Sequence, residues 1–409
     1  MTRRFWDGRW FLPAIFYCSV LPVLGFSPGT ASDTSNLEFD EVDPYTGGDR
    51  EALDRLGYVS LGPFVWADGH SSEDLRETLG GVSVIFIETQ HFRIASTLRS
   101  CKKTSDSAEK KLLKAELARF KKRIGRFKPG KELDPWLRAH LYAQRLEELY
   151  TDFLERFGFK DEDFGTREAP SGSVIPMGSG PYLGQEEKFT VLLCEQRSGL
   201  GRYTARYMKS KSDIYFRWRF AKTFFLGTSF EALKDIERGL DLNFYIVLTG
   251  GMVLNLVEGF RQTGQHAPPW FKYGLAHYYS NRVDPRWPNW GAGGSSDPKF
   301  DHLWKWEPRV RGLVTNKAAD SWETMMGWSS TDDLKSRDHM VAWSRVRWLI
   351  EQKPEGLRKL LLGLTEPISE ATPEAAMMQQ QRAFEQAYGA TPAELEAEWT
   401  RHVRRRYSK

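Results

Sequence analysis

"VLTGGMVLNLVEGF", residues 247–260, reads as the apolar core of a helix, yet Gly250 and Gly251 stand side by side at its centre. Each glycine costs a helix interior about 1 kcal/mol relative to alanine, because an unrestricted backbone loses more entropy on ordering. Two together need a reason. After a short turn comes "PPWFKYGLAHYYSNR", residues 268–282, a second helical stretch.

Upstream, "VSVIFIET" (82–89) and "HFRIAST" (91–97) read as a pair of strands, and "SAEKKLLKAELARFKKRI" (107–124) has helical spacing. "DPWLRAHLYAQRLEELYTDFLERFG" (134–158) is the clearest helix, with Asp134 as cap, Pro135 at the first position and Gly158 as stop. Its buried stripe runs through Leu137, Leu141, Leu146, Leu149, Phe153 and Phe157. A connection dense in Pro, Gly and Ser (168–185) precedes two further strands, "KFTVLLCEQ" (188–196) and "SDIYFRWRF" (212–220). Downstream, a loop rich in Trp, Pro and Gly (284–308) leads into four helical runs. In the last of these, Thr391 and Glu394 make a capping box around Pro392. Strands with helices, then helices alone, predict an α+β fold. The expected parts are a signal peptide at 1–31, an irregular lead-in at 32–75, a mixed lobe at 76–283 and a helical lobe at 284–409.

The 409-residue chain carries a net charge of +4, half of it in the first 31 residues, and no dense basic stripe with interleaved aromatics. That excludes nucleic acid as the expected partner. The basic runs "KKLLK" and "FKKR" read as the solvated face of one amphipathic helix. "MTRRFWDGR", an apolar run and the small residues at 29–31 make a secretory signal, implying a periplasmic or extracellular chain. An uncleaved membrane anchor is the rival, against which stand Pro13, Pro22 and the short span. Beyond it, no stretch is expected to cross a bilayer. Export leaves Cys101 and Cys194 in an oxidising compartment, as one disulfide or as two buried thiols.

The second helix resembles the W-x-x-E-G-x-A-x-Y segment of gluzincin metallopeptidases through Trp270, Gly274, Ala276 and Tyr278. Those enzymes carry H-E-x-x-H on the preceding helix, two histidines on one face binding zinc and a glutamate acting as base. A third ligand, glutamate, follows after eighteen residues. With Tyr273 in that third position, the motif falls on Gly250, Gly251 and Leu254, so both histidines and both glutamates are absent. The resemblance therefore implies a zincin scaffold without ligands or base, in which the glycine pair faces an emptied cleft. It extends loosely to the first strand pair and to the closing helices.

Glu258, Trp270, Gly274 and His277 are the expected cleft-lining residues. Glu258 and His277, with His266 or His302, form the candidate set for a rearranged metal site. Neither a catalytic residue nor a cofactor is assigned. No nucleophile elbow, P-loop or dinucleotide fingerprint occurs. Asp338 and His339 are adjacent on a helix, do not face each other, and are expected at the surface. Trp287, Trp290, Trp304 and Trp306 would pack the aromatic loop down or stack on a ligand, while Trp343 and Trp348 are expected in the core. The leading expectation is an exported pseudopeptidase binding a peptide, glycan or protein. A metal-dependent hydrolase and a structural cell-envelope protein with a filled cleft are the alternatives.

Overall fold

The computed structural model describes residues 42–66, 69–125, 127–128, 130–165, 176–233, 240–262, 267–285, 305–368 and 372–408. The expected signal peptide, His266, His302, Trp287, Trp290 and Trp304 lie outside them. The fold is α+β, as the order of periodicities implied.

Strands β1 (Tyr58–Ser60), β2 (Ile85–Thr89), β3 (Phe92–Ser96), β6 (Phe189–Cys194), β7 (Tyr215–Arg219) and β8 (Phe224–Ser229) form one sheet in the order β1-β2-β3-β6-β8-β7. A separate ladder pairs β4 (Cys101–Lys102) with β5 (Glu132–Leu133). β3, β6 and β8 run parallel, while β2 pairs antiparallel with both β1 and β3, and β7 pairs antiparallel with β8 at the other edge. Parallel neighbours need long crossovers. Helices α3 (Ser107–Ile124) and α4 (Pro135–Phe157) provide the first, and α5 (Arg197–Met208) with β7 provides the second.

"FTVLLC" in β6 is apolar throughout because both sheet faces are covered. Phe189, Val191 and Leu193 point into the core shared with α4 and α6 (Leu240–Gly259). Leu192 and Cys194 point the other way, into a smaller core with α5 and α2 (Ser72–Thr78). The lead-in is more ordered than its composition suggested. Asp49 caps α1 (Arg50–Leu56), and a Ser71–Asp74 capping box starts α2.

Contrary to the sequence reading, a second stretch, Asp241–Gln262, is long and apolar enough to cross a membrane. It is instead the central core helix, 83% buried in its most apolar window. A helix apolar on every side suits a site enclosed by protein. Its start is tied down by charge. Arg138 and Arg145 of α4 reach Asp241 at 3.2 and 3.3 Å, and Arg145 also holds Glu116 of α3 through two bonds of 2.9 Å. Burial alone would raise the Asp241 carboxyl, but the two guanidinium groups hold it below the ordinary range.

From α7 (Pro269–Val283) onward every regular element among the described residues is helical. α8 (Trp306–Thr315), α9 (Trp322–Met326), α10 (Ser336–Gln352), α11 (Leu357–Leu364), α12 (Pro373–Tyr388) and α13 (Pro392–Arg406) continue the same apolar core. Trp343 and Trp348 are buried in it, as expected. The expected capping box at Thr391 and Glu394 is present. α7 lies between α6 and α10, and Gly274 marks the closest approach to α10. A Cβ there would lie 2.7 Å from the Ala342 carbonyl oxygen and 2.6 Å from Val346 Cγ2.

Gly274→Ala is therefore expected to cost about 1–3 kcal/mol, as overpacking of a filled core does. Gly312→Ala in α8, where a Cβ meets nothing within 4 Å, should be neutral or stabilising by about 0.4–1 kcal/mol. Urea unfolding of both variants checks this. A Gly274 variant as benign as the Gly312 one would show that the crossing is loose.

Candidate functional site

The strand periodicity of "YFRWR" sends Tyr215, Arg217 and Arg219 to one side of β7, and that side meets α6. A Cβ on Gly251 would lie 2.7 Å from the Tyr215 hydroxyl oxygen and 3.0 Å from Leu226 Cδ1. Arg217 Nε donates to Asn255 Oδ1 at 2.7 Å, and Arg217 Nη2 donates to Glu258. Arg219 donates to the Gln262 carbonyl at 3.2 Å. Steps of two residues on a strand and three or four on a helix cover nearly the same length, about 6 Å, so the two elements stay matched. Gly251 thus has a packing reason: it lets the Tyr215 ring approach the helix. It does not face an emptied cleft, and Gly250 lies in the same buried stretch.

The other zincin-aligned positions are also packed. Leu254 is a core side chain. Tyr273 is 7% exposed, and its hydroxyl shares a 2.6 Å hydrogen bond with Thr331 Oγ1. Glu258 Oε1 accepts from Lys272 Nζ at 2.9 Å, and its other oxygen is taken by Arg217. Burial would raise this carboxyl, yet the two cations pull it down to about 2. It is a fixed carboxylate, which makes it a poor proton acceptor near neutrality.

The expected cleft lining is corrected for three residues, because α10 and α12 cover the face of α7. Trp270 is fully buried, stacks on Phe384 and donates to Gln380 Oε1 at 2.9 Å. Gly274 is the helix crossing. His277 is buried, with Nε2 2.9 Å from Nδ1 of His339, and Trp306 packs edge-on against its ring. Asp338 and His339 are buried too, not on the surface. Burial, together with the neighbouring His339, holds His277 well below its ordinary value, and burial lowers His339 to about 4. Both rings are neutral at pH 7, so one nitrogen donates to the other.

Glu258 and His277 therefore have separate sets of partners. Among the described residues, no three His, Cys, Asp or Glu side chains are placed to hold a metal ion. Cys101 and Cys194 are free thiols, and the disulfide alternative is corrected. Cys101 packs against the core on the α4 side of the sheet, while Cys194 belongs to the core on the α5 side, so the sheet separates them. Burial pushes each thiol up to about 12, which leaves little reactive thiolate at neutral pH.

Sequence reasoning missed Tyr215, Arg217, Lys272 and Thr331. The alternation of "YFRWR" was the available signal for the first two. Lys272 precedes Tyr273 on α7, but nothing local names Glu258 as its partner.

A second polar cluster lies at the start of β3. His91 Nδ1 meets Glu147 Oε2 at 2.7 Å, and Nε2 meets Asp161 Oδ2 at 3.0 Å. The ring stacks on Tyr150, whose hydroxyl donates to Asp161 at 3.1 Å. Burial would lower the His91 pKa, but the two carboxylates raise it to about 9. Asp161 is lowered from 3.8, with its imidazolium partner outweighing burial. This is a charged clamp joining the sheet, α4 and the turn at Asp161–Asp163.

Two outcomes follow from this geometry. Gly251→Ala should destabilise the native chain by about 1–3 kcal/mol but cost close to nothing beside Tyr215→Ala, read as a double-mutant cycle by urea unfolding. Additive costs would show that Tyr215 does not set the need for glycine. The His91 contribution is fully present below pH 6.5 and is lost as pH rises through about 9. The Asp161 contribution is present above 3.8 and is lost as pH falls through its lower folded value. His91→Gln should flatten the fall in unfolding free energy between pH 6.5 and 9; an unchanged slope would place that titration elsewhere. No protein-family model, curated protein or solved structure matches the chain.

Proposed function

We propose that the chain is an exported, non-catalytic protein on a gluzincin-like arrangement of helices, with the position of the former cleft filled and its role structural or scaffolding. The observation that carries this reading is the packing at the zincin-aligned positions. Gly251 is covered by Tyr215, Leu254 and Tyr273 sit in the core, and the carboxylate of Glu258 is held between Arg217 and Lys272. Zinc hydrolysis needs a cation with an open coordination position and a base that takes a proton from its water. The side chains at these positions offer neither nitrogen ligands nor a free carboxylate. The resemblance in the W-x-x-E-G-x-A-x-Y segment supports the ancestry, and the basic, apolar N-terminal run supports export.

The hydrolase alternative requires Glu258 to leave two cations and converge with His277, which is bonded to His339. A pseudopeptidase with an open cleft requires Trp270, Gly274 and His277 to be accessible, and all three lie under α10 and α12. A scaffold of the cell envelope needs neither.

Elemental mass spectrometry of the purified mature protein, before and after incubation with zinc, tests the proposal. The expected result is no stoichiometric metal and no gain on incubation, with no cleavage of a mixed peptide library. One tightly held zinc per chain, lost on His277→Ala, would overturn it.

A further inference from the structure

Away from the α6–α7 pair, the exposed side of α3 bounds a surface groove of about 360 Å³. Its floor is carbon, from Leu113, Leu117 and Ala118 of the helix and Phe127 beyond its end. Phe127 is braced edge-on by Phe120 and Tyr45, at ring separations of 5.4 and 5.6 Å, so the floor is fixed by the core beneath it. Lys110, Lys114 and Lys121 stand along the same groove. They recur with Leu113, Leu117 and Ala118 at spacings of three and four, which puts cations and apolar groups on one helical stripe. None of the three lysines has an acidic partner among the described residues. The solvated-face reading of the basic runs suits Lys111 and Lys122, which lie off this stripe, but it does not explain an apolar trough beside three unpaired cations.

We propose that this groove binds an anionic amphiphile with a single acyl chain, the chain lying on the Leu113–Leu117–Phe127 floor and the acid head held by Lys110, Lys114 or Lys121. The volume is within the roughly 300–1,000 Å³ of small-molecule sites. The charge complement calls for an anion. The lining discriminates between acyl chain and peptide. An extended peptide brings an N–H and a C=O per residue that need partners, and among the described residues Thr104 is the one uncharged polar side chain in the lining. An acyl chain needs no partner and gains from covering carbon. Lysine stems add apolar cover along the chain while their heads reach the acid.

Titration calorimetry of the full chain with laurate below its micellar concentration tests this, with lauryl alcohol as the uncharged control. The expected result is one laurate per chain, tighter at low salt, and weaker binding of the alcohol. Affinity should fall at least about tenfold in the triple variant Lys110→Gln, Lys114→Gln, Lys121→Gln, because each basic group near an anionic head contributes separately. Ala118→Trp, at an exposed position, should block the trough and abolish binding, with circular dichroism confirming both folds. No saturable binding, or binding that neither variant changes, would overturn the proposal. So would binding of an acidic amphipathic peptide that both variants weaken while laurate does not bind; the groove would then be a peptide site.

Discussion

The partly buried contact between Arg217 of β7 and Glu258 of α6 is the constraint on which the arrangement of the first half depends. Two charges withdrawn from water demand each other, and the demand is directional because Arg217 also donates to Asn255 and Glu258 also accepts from Lys272. A strand sliding by one residue along α6 would carry Arg217 to the opposite face of the sheet. The edge strand, the core helix and α7 are thereby locked in one register. Everything near them then follows from space. Tyr215 falls on Gly251, and the chain there must be glycine because a ring already fills the position of a side chain.

The same logic explains how much could be read from the sequence. α4 was legible to its ends, since Asp134, Pro135 and Gly158 satisfy or break backbone bonding locally. α3 was legible from its helical spacing, and α13 from its Thr391–Glu394 capping box. α5 was not, because "RSGLGRYTARYM" carries two glycines and no capping side chain. A Cβ on its Gly199 would lie 3.8 Å from Leu79 Cδ2, a contact made across the chain rather than along it. β8 was hidden by Gly227, where a Cβ would lie 2.6 Å from Leu200. Its small residue is an answer to a neighbour the local sequence does not name.

At the candidate site, the spacing that joins Gly250, Gly251, Leu254 and Tyr273 could be counted, so their positions on two packed helices were accessible. What faces them was not. Trp270, Gly274 and His277 look like cleft residues on a helix considered alone, and they become core residues only because Ala342, Val346, His339 and Gln380 arrive from far along the chain. Helix periodicity shows that a face will be covered. It does not identify the cover. The buried Asp338–His339 pair teaches the same lesson, since adjacent polar residues can both be interior when each finds its own partner.

The separation of Cys101 and Cys194 by the sheet has a consequence for how such a chain is made. Neither thiol can close a covalent loop with the other in the folded state, so the native topology is reached and kept without any oxidation step between them. Reduction does not loosen it, and an oxidant finds two thiols shielded as uncharged groups.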